Sequence, residues 1–257
     1  MTTTIDPRVL AAVAAHPYPL PFVTISGSHL YGFSSPDSDV DLRGVHLLRA
    51  EALLGLDLHD ETVESSEVRA GLEVDYVTHD LRKFVAMMLK RNGYVLEQLY
   101  SPLVVRTSAV HAELKALGAG CITRHHAHHY RGFAHTQWEL FLKEQPRRVK
   151  PLLYVYRVLL TGIHLMRSGR IECDLNTLNA DAGLDWLPEL IARKTGTREQ
   201  ATLDDGDIER HRATFAQLMQ RLDDAAAASS LPDSASSREA LDELIVRVRL
   251  ATLERLR

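Results

Sequence analysis

The stretch F-V-T-I-S-G-S-H-L-Y-G-F-S-S-P-D-S-D-V-D-L-R-G-V, residues 22–45, decides how the rest of the chain is read. Its first four residues, Phe22 to Ile25, are a short apolar run that reads as a buried strand. Ser26, Gly27 and Ser28 follow. A Gly-Ser that closes a strand and opens a helix lets backbone amides approach an anion such as a phosphate. Asp39-Val40-Asp41 comes next. On a strand, side chains alternate, so both carboxylates point one way with Val40 behind them. Carboxylates held side by side repel each other unless a proton or a metal neutralises them. Oxygen-only donors suit Mg2+ or Mn2+. The stretch therefore predicts a nucleotide-handling metal site, with the Asp pair on the metal and the Gly-Ser turn on the phosphates. The competing reading takes Ser34 to Asp39 as a plain turn.

A third carboxylate would complete a two-metal clamp. The alternation Leu72-Glu73-Val74-Asp75-Tyr76-Val77 offers one on another strand. Asp75 is the first choice and Glu73 the reserve. Both lie on one face of that strand, so the pattern does not separate them.

Gly27-Ser28, ten intervening residues, Asp39-x-Asp41 and a later strand acid resemble the DNA polymerase beta-like nucleotidyltransferase superfamily. The longer strings Gly27-Ser28-x-x-Tyr31-Gly32 and Ser38-Asp39-x-Asp41-x-Arg43-Gly44 resemble its predicted branch associated with RNA-repair gene clusters. Asn92-Gly93-x-Val95-Leu96-Glu97-x-Leu99 is similar to that branch as well. The resemblance covers residues 20 to 165 or so. It implies an α/β (α+β) fold, a small mixed-sheet catalytic domain followed by an all-helical one. It implies transfer of an NMP from an NTP to an acceptor hydroxyl, with Mg2+ or Mn2+ on Asp39, Asp41 and Asp75. An RNA end is the first acceptor it suggests. The alternatives are AMP transfer onto a protein, as in antitoxin-like relatives, and a nucleotide-binding regulatory protein without catalysis.

Further site residues follow from the same resemblance. Gly27 and Ser28 would grip the outgoing phosphates. Arg43 would neutralise or order the carboxylates, against a plain surface role. A Lys or Arg on the helix after the catalytic domain often meets the triphosphate, and Lys150 and Arg157 resemble that placement. Lys150 and Tyr154 share a face, and Arg157 lies three residues further on. The opposing reading makes them the solvated edge of a core helix built on Leu152, Leu153, Val155, Val158 and Leu159.

Composition sets the outer limits. The chain has 257 residues, enough for one or two domains with ample core. Its net charge of −4 argues against a broad nucleic-acid binder. The charge is unevenly spread: residues 121–170 carry 9 basic and 2 acidic side chains, flanked by acidic segments. That basic middle is a reasonable rest for triphosphate or polynucleotide. Two cysteines, Cys121 and Cys173, make no disulfide framework and suggest free thiols in a reducing cytosol. No signal peptide and no membrane span are expected. Oligomeric state is not set by the sequence.

Along the chain, Asp6 should cap a helix to Ala15, with Pro7 at its first position. Val63–Val68 and Leu72–Thr78 should pair about Arg69-Ala70-Gly71. Thr78 is expected to cap a helix whose stripe is Leu81, Phe84, Val85, Met88 and Leu89. Asn92-Gly93 should stop that helix. Gly118-Ala119-Gly120 marks the boundary between a catalytic domain, 1–118, and a helical domain, 119–257. His125 and His129 could share a zinc, but no Cys or acid sits at a fitting spacing, so a plain histidine cluster is expected. Ser229 to Ser237 reads as a flexible linker before a last helix, Arg238 to Leu256.

Overall fold

The computed structural model describes residues 5–56, 59–196, 202–203 and 205–254. In chain order these form α1 (Pro7–Ala14), β1 (Phe22–Ile25), α2 (Gly27–Leu30), β2 (Val40–His46), α3 (Ala50–Leu54), β3 (Thr62–Arg69), β4 (Leu72–Asp80), α4 (Leu81–Leu89), α5 (Gly93–Tyr100), β5 (Val104–Arg106) and α6 (Ala109–Gly118). Then come α7 (His126–Lys143), α8 (Val149–Ser168), α9 (Leu175–Ala182), α10 (Leu187–Gly196), α11 (Ile208–Ala227) and α12 (Arg238–Glu254). The protein is thus α+β, with one mixed sheet and a helical C-terminal part, as expected. Leu256, the expected end of the last helix, lies outside the described residues.

The chain divides into two compact units. The first holds residues 1–27, 39–121 and 234–257, and the second holds 28–38 and 122–233. The break near 121 lies close to the glycine-rich Gly118–Gly120. The division differs from an expected split into 1–118 and 119–257 in that α12 falls in the first unit and residues 28–38 in the second.

The first unit is built on a five-stranded sheet in the order β3-β4-β2-β1-β5. β2 and β4 run parallel and every other pair is antiparallel. Alternation divides the side chains. Val23, Val40, Leu42, Val74 and Tyr76 turn to one face and pack with Val9, Ala12 and Val13 of α1. Phe22 and Thr24 turn to the other, where Phe22 meets the edge of Phe84 and stacks on His111 at 4.3 Å. Thr24 donates to the Gln98 carbonyl at 3.0 Å, which ties α5 beneath β1. The β3–β4 hairpin turns on Ala70 (φ 46°) and Gly71 (φ 81°), the left-handed pair that matches strand twist.

Three local expectations change. Asp80, not Thr78, caps α4, accepting from the Arg82 amide at 2.9 Å. Thr78 lies within β4, and its hydroxyl is engaged by His46 at 2.8 Å and His16 at 2.9 Å. Asn92 caps the start of α5 through the Tyr94 amide at 3.0 Å, in addition to following the end of α4. β5 was not foreseen. Its three residues are too few for any periodicity to show, and pairing with β1 creates it.

Residues 229–237 are not a loose linker. Within the second unit, Ser229 donates to the Met166 carbonyl at 2.7 Å and Pro232 accepts from the Arg124 amide at 3.1 Å. Within the first unit, the Ser236 amide donates to Gly120 at 2.9 Å. A Ser/Pro-rich composition thus conceals an anchored crossing.

The second unit is helical. Its longest apolar face is α8, whose Leu152, Leu153, Val155, Val158 and Leu159 are fully buried. Trp138 of α7 stacks on Phe215 of α11 at 4.7 Å. Tyr156 of α8 hydrogen-bonds His211 of α11 at 2.8 Å. Both cysteines are buried and neither is in a disulfide. Burial pushes the Cys121 thiol up to about 11. No helix among the described residues is long and apolar enough to cross a membrane.

Candidate active site

β1 and β4 flank β2, and this order brings the acidic residues together. Parallel pairing sets Asp41 directly beside Asp75. Asp39 sits one residue before β2, with Val40 7% exposed behind it. One carboxylate oxygen from each of Asp39, Asp41 and Asp75 lies within 4.8 Å of the other two. All three side chains are half-buried. No other such cluster of His, Cys, Asp or Glu occurs among the described residues. Glu73, the reserve, is exposed and stands opposite Val68 on the far strand. The sheet therefore separates two acids that the pattern left equal.

Three oxygen donors this close fit a hard divalent ion, which prefers oxygen ligands such as carboxylates. Nitrogen and sulfur ligands are absent from the group, which disfavours zinc.

Arg43 contacts one carboxylate of the trio. Its Nη2 pairs with Asp41 Oδ1 at 2.6 Å. Its Nη1 donates to the carbonyls of Leu42 and Asp75, each at 2.9 Å. Its Nε donates to the Tyr94 hydroxyl at 3.0 Å. Burial works against the guanidinium charge, but Tyr94, Asp41 and Asp75 more than offset it, and its pKa is raised. Arg43 thus holds the Asp41 carboxylate and the Asp75 backbone. Tyr94 is a site residue that the sequence reading missed. Its only signal was a position two residues after the Asn92 cap, which says nothing about its neighbours.

Gly27 stands on the other side of Asp41. Its φ is +61°, and a Cβ built there would lie 1.8 Å from Asp41 Oδ2. The Ser26 amide donates to the Asp41 carbonyl at 2.8 Å. Glycine is thus required both by backbone conformation and by the carboxylate that passes it. Gly27→Ala should displace Asp41 by an ångström or so. A shift of that size costs about 10²-fold in turnover, and the left-handed backbone adds about 1–2 kcal/mol of instability. Steady-state assays and thermal melts check this; unchanged turnover would mean that the Asp41 position is not limiting. Ser28 follows. It is 1% exposed, and its hydroxyl has no hydrogen-bond partner among the described residues. A buried hydroxyl left so is unusual and fits a site for a polar group that binds there.

Other predicted residues fall in the second unit. Arg157 is 1% exposed, with its guanidinium 4.1 Å over the Tyr31 ring. Tyr154 meets Tyr31 and Phe33 edge-on, at 5.6 and 5.5 Å. Lys150 is half-buried one turn earlier on α8. Neither Arg157 nor Tyr154 is the solvated edge of a core helix. Lys194, another residue the sequence did not single out, is fully buried and donates to Ser35 Oγ at 2.6 Å. Ser35 in turn bonds Asp37 and Ser38, which orders the turn that leads into Asp39. In the histidine cluster His125 stacks on His128 and reaches Asp233 at 3.4 Å, while His129 packs on Tyr130.

An acidic trio thus gathers at two parallel strands, with Arg43 paired to Asp41 and Gly27 close against it. The chain belongs to the RNA repair pathway DNA polymerase beta family (RlaP), whose profile matches residues 1–247. It is 35% identical over 156 residues to the uncharacterized protein MJ0002 of Methanocaldococcus jannaschii, covering 61% of this chain and 64% of that protein. It is 27% identical over 181 residues to the uncharacterized protein YcgL of Bacillus subtilis, covering 69% of this chain and 65% of that one. Each match spans a little under two thirds of the relative's own length.

Proposed function

We propose that the protein is a metal-dependent nucleotidyltransferase that moves an NMP from an NTP to an acceptor hydroxyl at an RNA end. The observation that carries this reading is the gathering of Asp39, Asp41 and Asp75 within 4.8 Å in a member of this family. Three carboxylates with one guanidinium leave a surplus of about two negative charges, which suits a divalent cation. Mg2+ or Mn2+ on these oxygens would supply Lewis-acid stabilisation of the triphosphate charge. Asp75 is assigned the acceptor proton. The acceptor oxygen forms a new bond to the α-phosphorus, the bond from that phosphorus to the bridging oxygen breaks, and pyrophosphate leaves. The Gly27 amide, with Ser28 next in the chain, is assigned to the leaving phosphates. Cysteines outside any disulfide suit a reducing cytosol, where we place the reaction.

The test is incubation with each labelled NTP, Mg2+ or Mn2+, and short RNAs or cell lysate. Label on RNA is the expected result. Label on a protein would replace the acceptor and point to AMP transfer. Retained NTP without pyrophosphate release would end the transferase reading.

A further inference from the structure

The first unit carries a groove of about 730 Å³ away from the carboxylates. Its floor includes Leu20, Leu47, Val110, Val248 and Ala251. Three arginines, Arg49, Arg106 and Arg247, stand around it, and no acidic side chain lines it. Arg247 also pairs with Glu113, which offsets part of its charge. Arg106 spends its Nε on the Leu20 carbonyl at 3.1 Å and keeps its other donors. Arg49 is exposed and has no ion-pair partner among the described residues. Leu47 and Arg49 follow the end of β2, whereas Asp41 lies near its beginning. At about 3.3 Å per residue the groove and the carboxylates are on the order of 20 Å apart.

The same unit presents a segment of the opposite character. α3 and the two residues after it carry Glu51, Leu54 and Leu56. Leu54 is 79% exposed and Leu56 wholly so. Asp60 and Glu61 follow. Arg49, at the groove, is also the residue before the first turn of α3. α3 packs on α12, which supplies the groove wall, and Val246 and Leu250 of α12 are more than half exposed. Groove and leucine segment therefore share one face. Exposed apolar side chains beside an apolar groove are the mark of an interaction site.

We propose that this face joins two copies of the chain in a two-fold dimer, each copy's Glu51–Leu56 segment entering the groove of the other. Leucines meet the apolar floor, and Glu51 meets the arginines. A self-complementary contact requires donor and acceptor on one face, and this face has both. A second copy is favoured over another protein because the chain itself carries the matching segment beside the groove. The acidic trio stays open, since it lies at the other end of β2. This inference stands apart from the transferase reading and does not need it.

Sedimentation equilibrium of the full chain tests it. The expected result is a species of twice 28.8 kDa at micromolar concentration. The double variants Leu54→Asp/Leu56→Asp and Arg49→Glu/Arg106→Glu should each sediment as monomers with unchanged circular dichroism. Should either fail to fold, the single exposed change Glu51→Arg should still weaken dimerisation at least tenfold. A wild-type chain that stays monomeric, or a dimer that survives the leucine changes, overturns the proposal.

Discussion

Asp39→Ala and Asp41→Ala should each abolish divalent-ion binding and turnover, but only Asp41→Ala should weaken the fold. Loss of one carboxylate from a three-oxygen site removes several kcal/mol of charge stabilisation, or about 10³-fold or more in rate. The stability effects separate because the two residues have different partners. Asp39 has no ion pair among the described residues, so its removal relieves repulsion within the trio. Asp41 holds Arg43, whose side chain is 14% exposed. Without Asp41, that guanidinium stays largely buried with only the Tyr94 hydroxyl and two carbonyls. Breaking a fully buried pair costs about 3–5 kcal/mol. The remaining hydrogen bonds should bring this one to about 2 kcal/mol. At about 2–4 °C per kcal/mol, the melting midpoint should drop by roughly 4–8 °C. Mn2+ titration and parallel melts of the two variants check both halves. Equal stability of the two would show that Arg43 does not depend on Asp41.

This asymmetry marks where sequence reading stopped. Adjacency of Asp39 and Asp41 follows from the period of a strand, and it was legible. That Asp75 and not Glu73 joins them depends on β2 and β4 being parallel neighbours in a given register. Register is a tertiary property, set by which faces the whole sheet buries, and one strand's alternation cannot supply it. Arg43 was recognisable as near the acids, whereas Tyr94 was not, because the hydrogen bond spans 51 residues. Lys194 reaches Ser35 across 159 residues and carried no pattern at all. Helices with strong stripes, such as α4 and α8, were easy. The caps were harder, because Thr78 and Asp80 are both good cap residues and the choice turned on where β4 ends.

The largest expected loss of stability is Arg249→Ala, at about 3 kcal/mol. Asp80 is completely buried. Its Oδ1 accepts from the Arg82 amide at 2.9 Å, and its Oδ2 from the Leu48 amide at 3.1 Å. The remaining charge is met by Arg249 of α12, which pairs with Oδ2 and also donates to the Leu48 carbonyl at 3.1 Å. α12 buries Leu241 and Leu244 fully and packs on α3, α4 and α6. One ion pair thus fixes the last helix, the cap of α4 and Leu48, two residues beyond β2, in a single contact. Arg249→Ala leaves a buried carboxylate with two amides and no counter-charge, and the midpoint should fall by roughly 6–12 °C. Arg249→Lys should rescue little, because one ammonium cannot replace a planar fork that reaches both the carboxylate and the carbonyl. Asp80→Asn combined with Arg249→Met should recover more than half of the loss, since no bare charge then remains. Denaturant melts of the three variants beside the wild type check these values. A loss below about 1 kcal/mol for Arg249→Ala would show that Asp80 finds its compensation elsewhere.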